Sequence, residues 1–329
     1  MTQQSGSEPG NGRRKAVSIG ECMVELARGA DGRFEFALGG DTFNTAVYLA
    51  RAGVETAYLT ALGDDPYSQA IAELAALEQV DMSAVARLPG RVPGLYLIET
   101  DAKGERTFYY WRDNAPAREV FSKAASPLIA RTLNEAGLVC FSGITLWLYS
   151  RDGLDGFFSQ IDAARQAGAR IAFDSNYRKR LWGEAPEPAR AAFAEAIARA
   201  DIVLPSLDDE KLLWGDASAE AVLRRYSDAG VGECVVKDGS GGAYILEAGA
   251  VRHIPVPASV EPVDTTAAGD SFNAAYLAAR LARLEPAQAV SYGHRLAAIV
   301  VSHRGAIVPK EATAGLLTEL SIISKSMSP

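Results

Sequence analysis

The sequence predicts an α/β fold: a mostly parallel central sheet covered by helices on both faces, carrying a small second β-sheet as a lid. Three observations lead there. From Ala16 onward, short continuously apolar runs alternate with helical stretches, the rhythm of strands buried on both faces by crossover helices. Two segments break that rhythm with short alternating runs around turn residues, the second rich in aromatics, and read as β-ribbons standing off the sheet. Late in the chain come long Ala- and Leu-rich helical periods, suited to packing on a sheet.

Taken in order, residues 1–14 are rich in Ser, Gly and Gln, lack the apolar centre of a signal peptide, and read as a disordered tail. Core strands are predicted over Ala16–Ile19, Thr56–Thr60, Leu138–Ser142, Ile171–Asp174, Ile202–Leu204 and Cys234–Lys237. Helices between them include Thr42–Ala52, Tyr67–Gln79, Leu154–Ala167 and Arg190–Arg199. The first ribbon, Glu25–Phe36, turns at Ala30-Asp31-Gly32. The second, Gly94–Arg112, runs through Leu95–Ile98, turns at Asp101–Gly104 and returns through Thr107–Trp111. Segments near 25–37 and 92–113 would together make the lid, with Tyr109 and Trp111 in its core; an ordinary edge meander is the alternative. Helices Ala268–Leu284 and Pro286–His303 follow. Residues 15–315 are expected to form a single α/β domain, with 316–329 as a C-terminal tail.

A formal net charge of -8, with no Lys/Arg run that offers a phosphate-tracking stripe, argues against a nucleic-acid partner. Nor does the sequence hold a stretch of about 18 apolar residues that could span a membrane. Cys22, Cys140 and Cys234 are scattered, which suits a reducing compartment and gives no metal-site spacing. The expectation is a cytoplasmic protein whose anionic ligands meet a few placed arginines.

The strongest local feature is Asp264-Thr-Thr-Ala-Ala-Gly-Asp270-Ser-Phe-Asn273. Small residues at 267–269 permit a tight turn into a helix whose first amides have no internal partner. With the helix dipole they form a hole suited to phosphate. Asp270 is there either an N-cap or a base that accepts a hydroxyl proton beside a bound phosphoryl group. A second site, Lys237-Asp-Gly239-Ser-Gly-Gly242-Ala243, follows a strand and precedes another; it is a plain hairpin turn or a loop approached by a nucleotide. A third, Gly39-Gly40-Asp41-Thr42-Phe43-Asn44, opens a helix, as its cap or as a binding turn.

Those three sites in this order, from about Val17 to Ile307, resemble the ribokinase-like (PfkB-type) carbohydrate kinases, which implies a three-layer α/β/α sandwich with a β-sheet lid. Gly39-Gly40…Asn44…Ala46…Leu49-Ala50-Arg51…Gly53 resembles the family's sugar signature, and Asp264-Thr265…Ala268-Gly269-Asp270 its second, whose last aspartate is the base. The resemblance is strongest to the branch acting on 2-keto-3-deoxy sugar acids, through residues 39–44, Tyr109–Arg112, Asp174–Arg178 and 264–270. It implies transfer of the ATP γ-phosphate to the 6-hydroxyl of 2-keto-3-deoxy-D-gluconate, in Entner-Doudoroff-type catabolism. Asp270 would act with Ala267, Ala268, Gly269 and Arg178. Gly40, Asp41, Asn44, Tyr96, Tyr110, Arg112 and Arg178 would bind the sugar acid, its carboxylate held by Arg112 or Arg178. Asn176, Ser206, Lys237, Gly239, Gly242, Ala243, Ala267, Gly269 and His294 would bind ATP.

Mg²⁺ is expected with ATP, and a monovalent cation such as K⁺ is common in the family. A homo-oligomer through the lid is a further expectation. The family's usual Asn-x-x-Glu is here Ser206-Leu207-Asp208-Asp209, followed by Glu210. That leaves Asp209 as the metal-side carboxylate, with Glu210 in reserve. Ala267 also stands where many members have glycine. The alternatives are a neutral-sugar kinase such as a fructokinase, and a non-catalytic sugar-binding regulator.

Overall fold

The computed structural model describes residues 15–29, 31–100, 106–122, 126–149, 151–257 and 260–326. The strands are β1 (Ala16–Ile19), β2 (Met23–Arg28), β3 (Phe34–Gly39), β4 (Thr56–Leu59), β5 (Ala61–Leu62), β6 (Val80–Asp81), β7 (Ala86–Arg87) and β8 (Leu95–Thr100). Then come β9 (Arg106–Trp111), β10 (Leu138–Ser142), β11 (Arg170–Asp174), β12 (Ile202–Val203), β13 (Glu233–Lys237), β14 (Ala243–Glu247) and β15 (Ala250–Ile254). The first helices are α1 (Asp41–Arg51), α2 (Pro66–Leu77), α3 (Pro127–Asn134), α4 (Gly143–Leu148), α5 (Arg151–Gln166) and α6 (Lys179–Trp182). The rest are α7 (Glu187–Ile197), α8 (Leu207–Trp214), α9 (Ala219–Asp228), α10 (Ala268–Leu281), α11 (Pro286–Val301) and α12 (Lys310–Ser326).

The main sheet runs β15-β14-β13-β12-β11-β10-β1-β4-β6, parallel except where β14 pairs antiparallel with both neighbours. Its central strands are apolar on both faces because both are covered. Val17, Ile19, Val139, Phe141, Ile171 and Phe173 point to a core closed by α3, α4, α5, α7 and α9. Alternate residues such as Ala16, Leu138, Cys140, Ala172 and Ile202 point to a second core under α1, α10, α11 and α12. Strand order reverses between β1, which leads to β4, and β10, which leads to β11. In such sheets the crevice past the strands' carboxyl ends at that reversal receives ligands.

The lid is a separate sheet, β3-β2-β8-β9. Its register puts Glu25, Tyr96 and Tyr110 side by side on the inner face, and Leu26, Phe36, Leu97 and Tyr109 on the outer. This corrects one expectation: Tyr109 and Trp111 are not lid core but lie on the outer face, 42% and 60% exposed, because each is one residue out of step with Tyr110. A second correction concerns the tail. Residues 316–326 complete α12, with Leu316, Leu317 and Leu320 buried in the second core. Residues 1–14, Ala30 and the expected turn at 101–104 lie outside the described residues. Among the described residues, no helix is long and apolar enough to cross a membrane.

Candidate active site

Two helix starts meet over the reversal point. α1 begins after Gly40, whose backbone lies so close to the β1–β2 connection that a Cβ there would sit 2.1 Å from the Glu21 carbonyl oxygen. α10 begins after Ala267, which holds the left-handed conformation with φ 58° and ψ 17° and supplies no side-chain cap. An L-residue pays about 1 kcal/mol or more for that shape, a cost glycine would not carry. Ser271 N–H makes the first intrahelical bond back to Ala267. The amides of Gly269 and Asp270, in the first turn, have no intrahelical acceptor. Asp270 is therefore not the cap; it is the third helical residue, at the edge of an open amide turn.

Asn44, buried in the first turn of α1, donates from Nδ2 to Asp270 Oδ2 at 2.8 Å, while its Oδ1 accepts from the Gly40 amide at 3.4 Å. Thr45 Oγ1 lies 3.0 Å from the Asp41 carbonyl and 3.3 Å from that of Asp270, tying the two helix starts together. Around them stand two more carboxylates. Asp41 accepts from Asn176 Nδ2 at 2.7 Å. Asp174, at the end of β11, accepts from Lys237 Nζ at 3.3 Å and Asn273 Nδ2 at 2.8 Å. Lys237 also donates to Asn273 Oδ1 at 2.9 Å, and a Cβ at Gly269 would lie 3.7 Å from its ammonium nitrogen. A cation thus stands beside the open amides. Burial of the carboxyl, helped by the charges of Asp41 and Asp174, pushes the Asp270 pKa up to about 7, against the Asn44 hydrogen bond and Lys237. Although the Asp270 residue borders the cleft, its carboxyl is ringed by these groups, and such a value suits a base at neutral pH.

The sugar-side residues gather at the lid root. The Tyr96 hydroxyl donates to Glu25, and its ring lies 5.9 Å from that of Tyr110. Arg112 is 4% exposed and its guanidinium is bonded to the equally enclosed Glu21 carboxylate. Its charge is therefore already matched, which the sequence reading did not foresee. Arg178 is exposed, 3.6 Å from Asp209.

The nucleotide-side residues fall less uniformly. Lys237–Ala243 is a strand–turn–strand between β13 and β14, with Gly242 at φ 102°; a Cβ there would meet the Ile254 carbonyl oxygen at 2.5 Å. Asn176, expected at the nucleotide, donates its side-chain amide to Asp41. Ser206 caps α8, its Oγ accepting from Asp209 N at 3.3 Å. His294 is buried against Phe272 in the first half of α10, ring centroids 5.3 Å apart; burial lowers its pKa.

Glu210 cannot serve as the reserve metal ligand: it is fully buried, bonded to Arg225 and Tyr226. Among the described residues no group of three or more His, Cys, Asp or Glu side chains is placed to hold a metal ion. Mg²⁺ that arrives on phosphates keeps several waters and needs only one or two carboxylates. Asp209, whose pKa is raised by burial and by nearby Asp174, meets that lesser demand.

Four participants had no assigned role in the sequence reading: Asp174, Asn273, Glu21 and Glu25. For the two glutamates a signal existed. They flank Met23 at a spacing of two in an otherwise apolar run, so both face inward, where an unpaired carboxylate is costly.

The family described as pfkB family carbohydrate kinase matches residues 13–313. A 2-dehydro-3-deoxygluconokinase of Escherichia coli (strain K12) is 42% identical over 308 residues, covering 91% of this chain and 98% of its own. One of Dickeya dadantii (strain 3937) is 41% identical over 303 residues, covering 89% and 96%. Among solved structures, a 2-dehydro-3-deoxygluconokinase of Thermotoga maritima superposes with a TM-score of 0.81 at 21% identity, covering 92% of this chain and 99% of its own. That last likeness is one of fold.

Proposed function

The chain belongs to the pfkB family of carbohydrate kinases, and on that premise we propose that it transfers the γ-phosphoryl group of ATP to the 6-hydroxyl of 2-keto-3-deoxy-D-gluconate. The observation that carries the chemistry is Asp270: a carboxylate with its pKa raised to about 7, held by Asn44 at an uncapped helix start. Asp270 takes the hydroxyl proton as the oxygen attacks the γ-phosphorus. The bond to the bridging oxygen breaks, and ADP leaves. The Gly269 and Asp270 amides, Lys237 and Arg178 share the negative charge on the transferring oxygens. Gly40, Asp41, Tyr96 and Tyr110 position the sugar, and the Lys237–Ala243 turn with His294 borders the adenine nucleotide. Mg²⁺, held through Asp209 and phosphate oxygens, would neutralise phosphate charge; K⁺ is a further activator to test by replacement with choline.

The substrate class follows the names of the relatives. One observation favours a neutral sugar instead: Arg112, one of the two arginines expected to hold the carboxylate, is already paired with Glu21. ADP release with Mg-ATP, compared across 2-keto-3-deoxygluconate, its galactonate epimer, fructose and ribose, decides. Turnover confined to the sugar acids supports the proposal. Preference for fructose overturns the substrate, and no turnover with any overturns the kinase.

The lid's outer face exposes Phe34, Phe36, Tyr109 and Trp111, a patch that supports pairing with a second copy. Sedimentation showing only monomer removes that part of the proposal. A cytoplasmic site of action remains part of the same reading.

A further inference from the structure

Three side chains from distant parts of the chain close a ring beside the α10 turn. Lys237, the last residue of β13, donates from Nζ to Asp174 Oδ1 at 3.3 Å and to Asn273 Oδ1 at 2.9 Å. Asn273, in the second turn of α10, donates from Nδ2 to Asp174 Oδ2 at 2.8 Å. The ring thus engages both ends of the Asn273 amide and both oxygens of Asp174. An ammonium has three N–H donors, so the ring leaves Lys237 one. Asn273 is buried, and the Lys237 and Asp174 side chains are 13% and 15% exposed, so water competes little for these bonds. The ammonium stands 3.7 Å from where a Gly269 Cβ would lie, beside the amides that have no intrahelical acceptor.

A lysine stem is a flexible chain, and a free one loses that freedom when it grips an anion. Here the freedom is removed in advance. Asp174 alone would hold the ammonium from one side. Asn273 belongs to α10 itself, so its carbonyl oxygen fixes the ammonium to the helix whose first amides are open. Being neutral, it adds no negative charge to those of Asp41 and Asp174, which already act on Asp270. What the remaining N–H meets follows from its place. The open amides and Asp270 mark where the transferred phosphoryl group lies, and ADP lacks that group. We infer that Asn273 is a positioning residue, acting with Asp174 to hold Lys237 as a preformed reader of the γ-phosphate, so that the site tells ATP from ADP before any sugar binds. This rests on the ATP-dependent reading proposed above and deepens it, whichever sugar is the acceptor.

Calorimetry of the full chain with Mg²⁺ tests it without turnover, using ADP and a non-hydrolysable ATP analogue with nitrogen as its β–γ bridge. Lys237→Met is expected to weaken binding of the analogue about tenfold or more, the scale of a lost charge-assisted hydrogen bond, and of ADP by no more than about twofold. Asn273→Ala should weaken the analogue by about three- to fivefold, with ADP again little changed. Retained ADP binding shows that the fold is intact; if Asn273→Ala does not fold, Asn273→Ser takes its place. In the Lys237→Met background the Asn273 substitution should add nothing, because the group it positions is gone. An analogue affinity unchanged in either single variant overturns the inference. Equal losses for the analogue and ADP in Lys237→Met also overturn it, since the lysine would then read charge common to both nucleotides. So does a full further loss in the double variant, since Asn273 would then act without the lysine. Wild-type protein that binds neither nucleotide fails the parent reading itself, and the inference falls with it.

Discussion

Helices α8 and α10 both begin past the carboxyl edge of the main sheet, and each carries an aspartate as its third residue, yet the two starts are built to opposite ends. At α8, Ser206 caps the helix by accepting from the Asp209 amide, and the Asp209 carboxylate faces Arg178. At α10 the cap position is Ala267, which can offer nothing, and the Asp270 carboxylate meets a neutral amide from Asn44 among like charges from Asp41 and Asp174. An ordinary cap satisfies the first turn and closes it to ligands. In the proposed mechanism, withholding the cap leaves donors for phosphate, and withholding a direct cation leaves the carboxylate basic enough to take a proton near neutrality. On that reading the chemistry of α10 comes from stabilisation forgone.

The largest effect should come from removing that carboxylate. Asp270→Asn is expected to lower kcat by about 10²–10⁴, the usual worth of a general base, with ATP binding by calorimetry little changed. It should also stabilise the fold, with a definite pH signature. Because the folded pKa of Asp270 is raised to about 7, the carboxyl favours the native state below the unfolded value of about 3.9 and loses that advantage as pH climbs through 7. The melting temperature of the variant should match wild type near pH 4 and exceed it by about 2–4 °C near pH 8, after allowance for the exposure of this residue to the cleft. A variant no more stable at pH 8 than wild type would mean that the site stores no such strain.

Asn44→Ala sharpens the contrast next. The amide hydrogen bond favours the ionised form of Asp270, so its loss raises the pKa further, and the acid limb of kcat/KM should move up by about one pH unit. A fall of about fivefold at pH 7 should shrink as pH rises. An unmoved acid limb would show that Asn44 holds the sugar and does not tune the base.

Both helix starts could be read in the sequence to an unequal depth. Small residues at 267–269 and Ser206 three places before Asp209 are local patterns, and local patterns set turns and caps. The α/β order, most strand positions and the lid segments followed from hydrophobic period in the same way. What could not be read was which partner each side chain would find across the fold. The Asp174 carboxylate meets Lys237 and Asn273 from distant parts of the chain. Glu21 neutralises Arg112 across 91 positions, and no spacing announces such a pair. The lid aromatics show a different limit: an alternating run says that faces differ, but only register says which face looks inward. At 316–326 a helix stands where a tail was expected, and the helical spacing of Leu316, Leu317 and Leu320 is the sequence signal for it.

Ser206→Ala probes the capped helix. Losing the cap should cost about 1 kcal/mol in chemical denaturation, with kcat and the KM for ATP close to wild type if the open amides that matter are those of α10. A KM for ATP raised beyond what the stability loss explains would give Ser206 the nucleotide contact expected from sequence, and the two helix starts would then share one ligand.

The smallest effect is expected at Ala267. Its positive φ costs an L-residue energy that glycine does not pay, while glycine brings a larger unfolded-state entropy that offsets part of the gain. Ala267→Gly should therefore stabilise by at most about 1 kcal/mol. Turnover should remain near wild type, because the amides of Gly269 and Asp270 depend on the turn's shape and not on the methyl group. A stabilised variant with reduced kcat would show that the methyl group stiffens the phosphate turn, and that the alanine there trades stability for rigidity. A destabilised variant would show that unfolded-state entropy outweighs the strain. Urea denaturation read beside initial rates separates these outcomes.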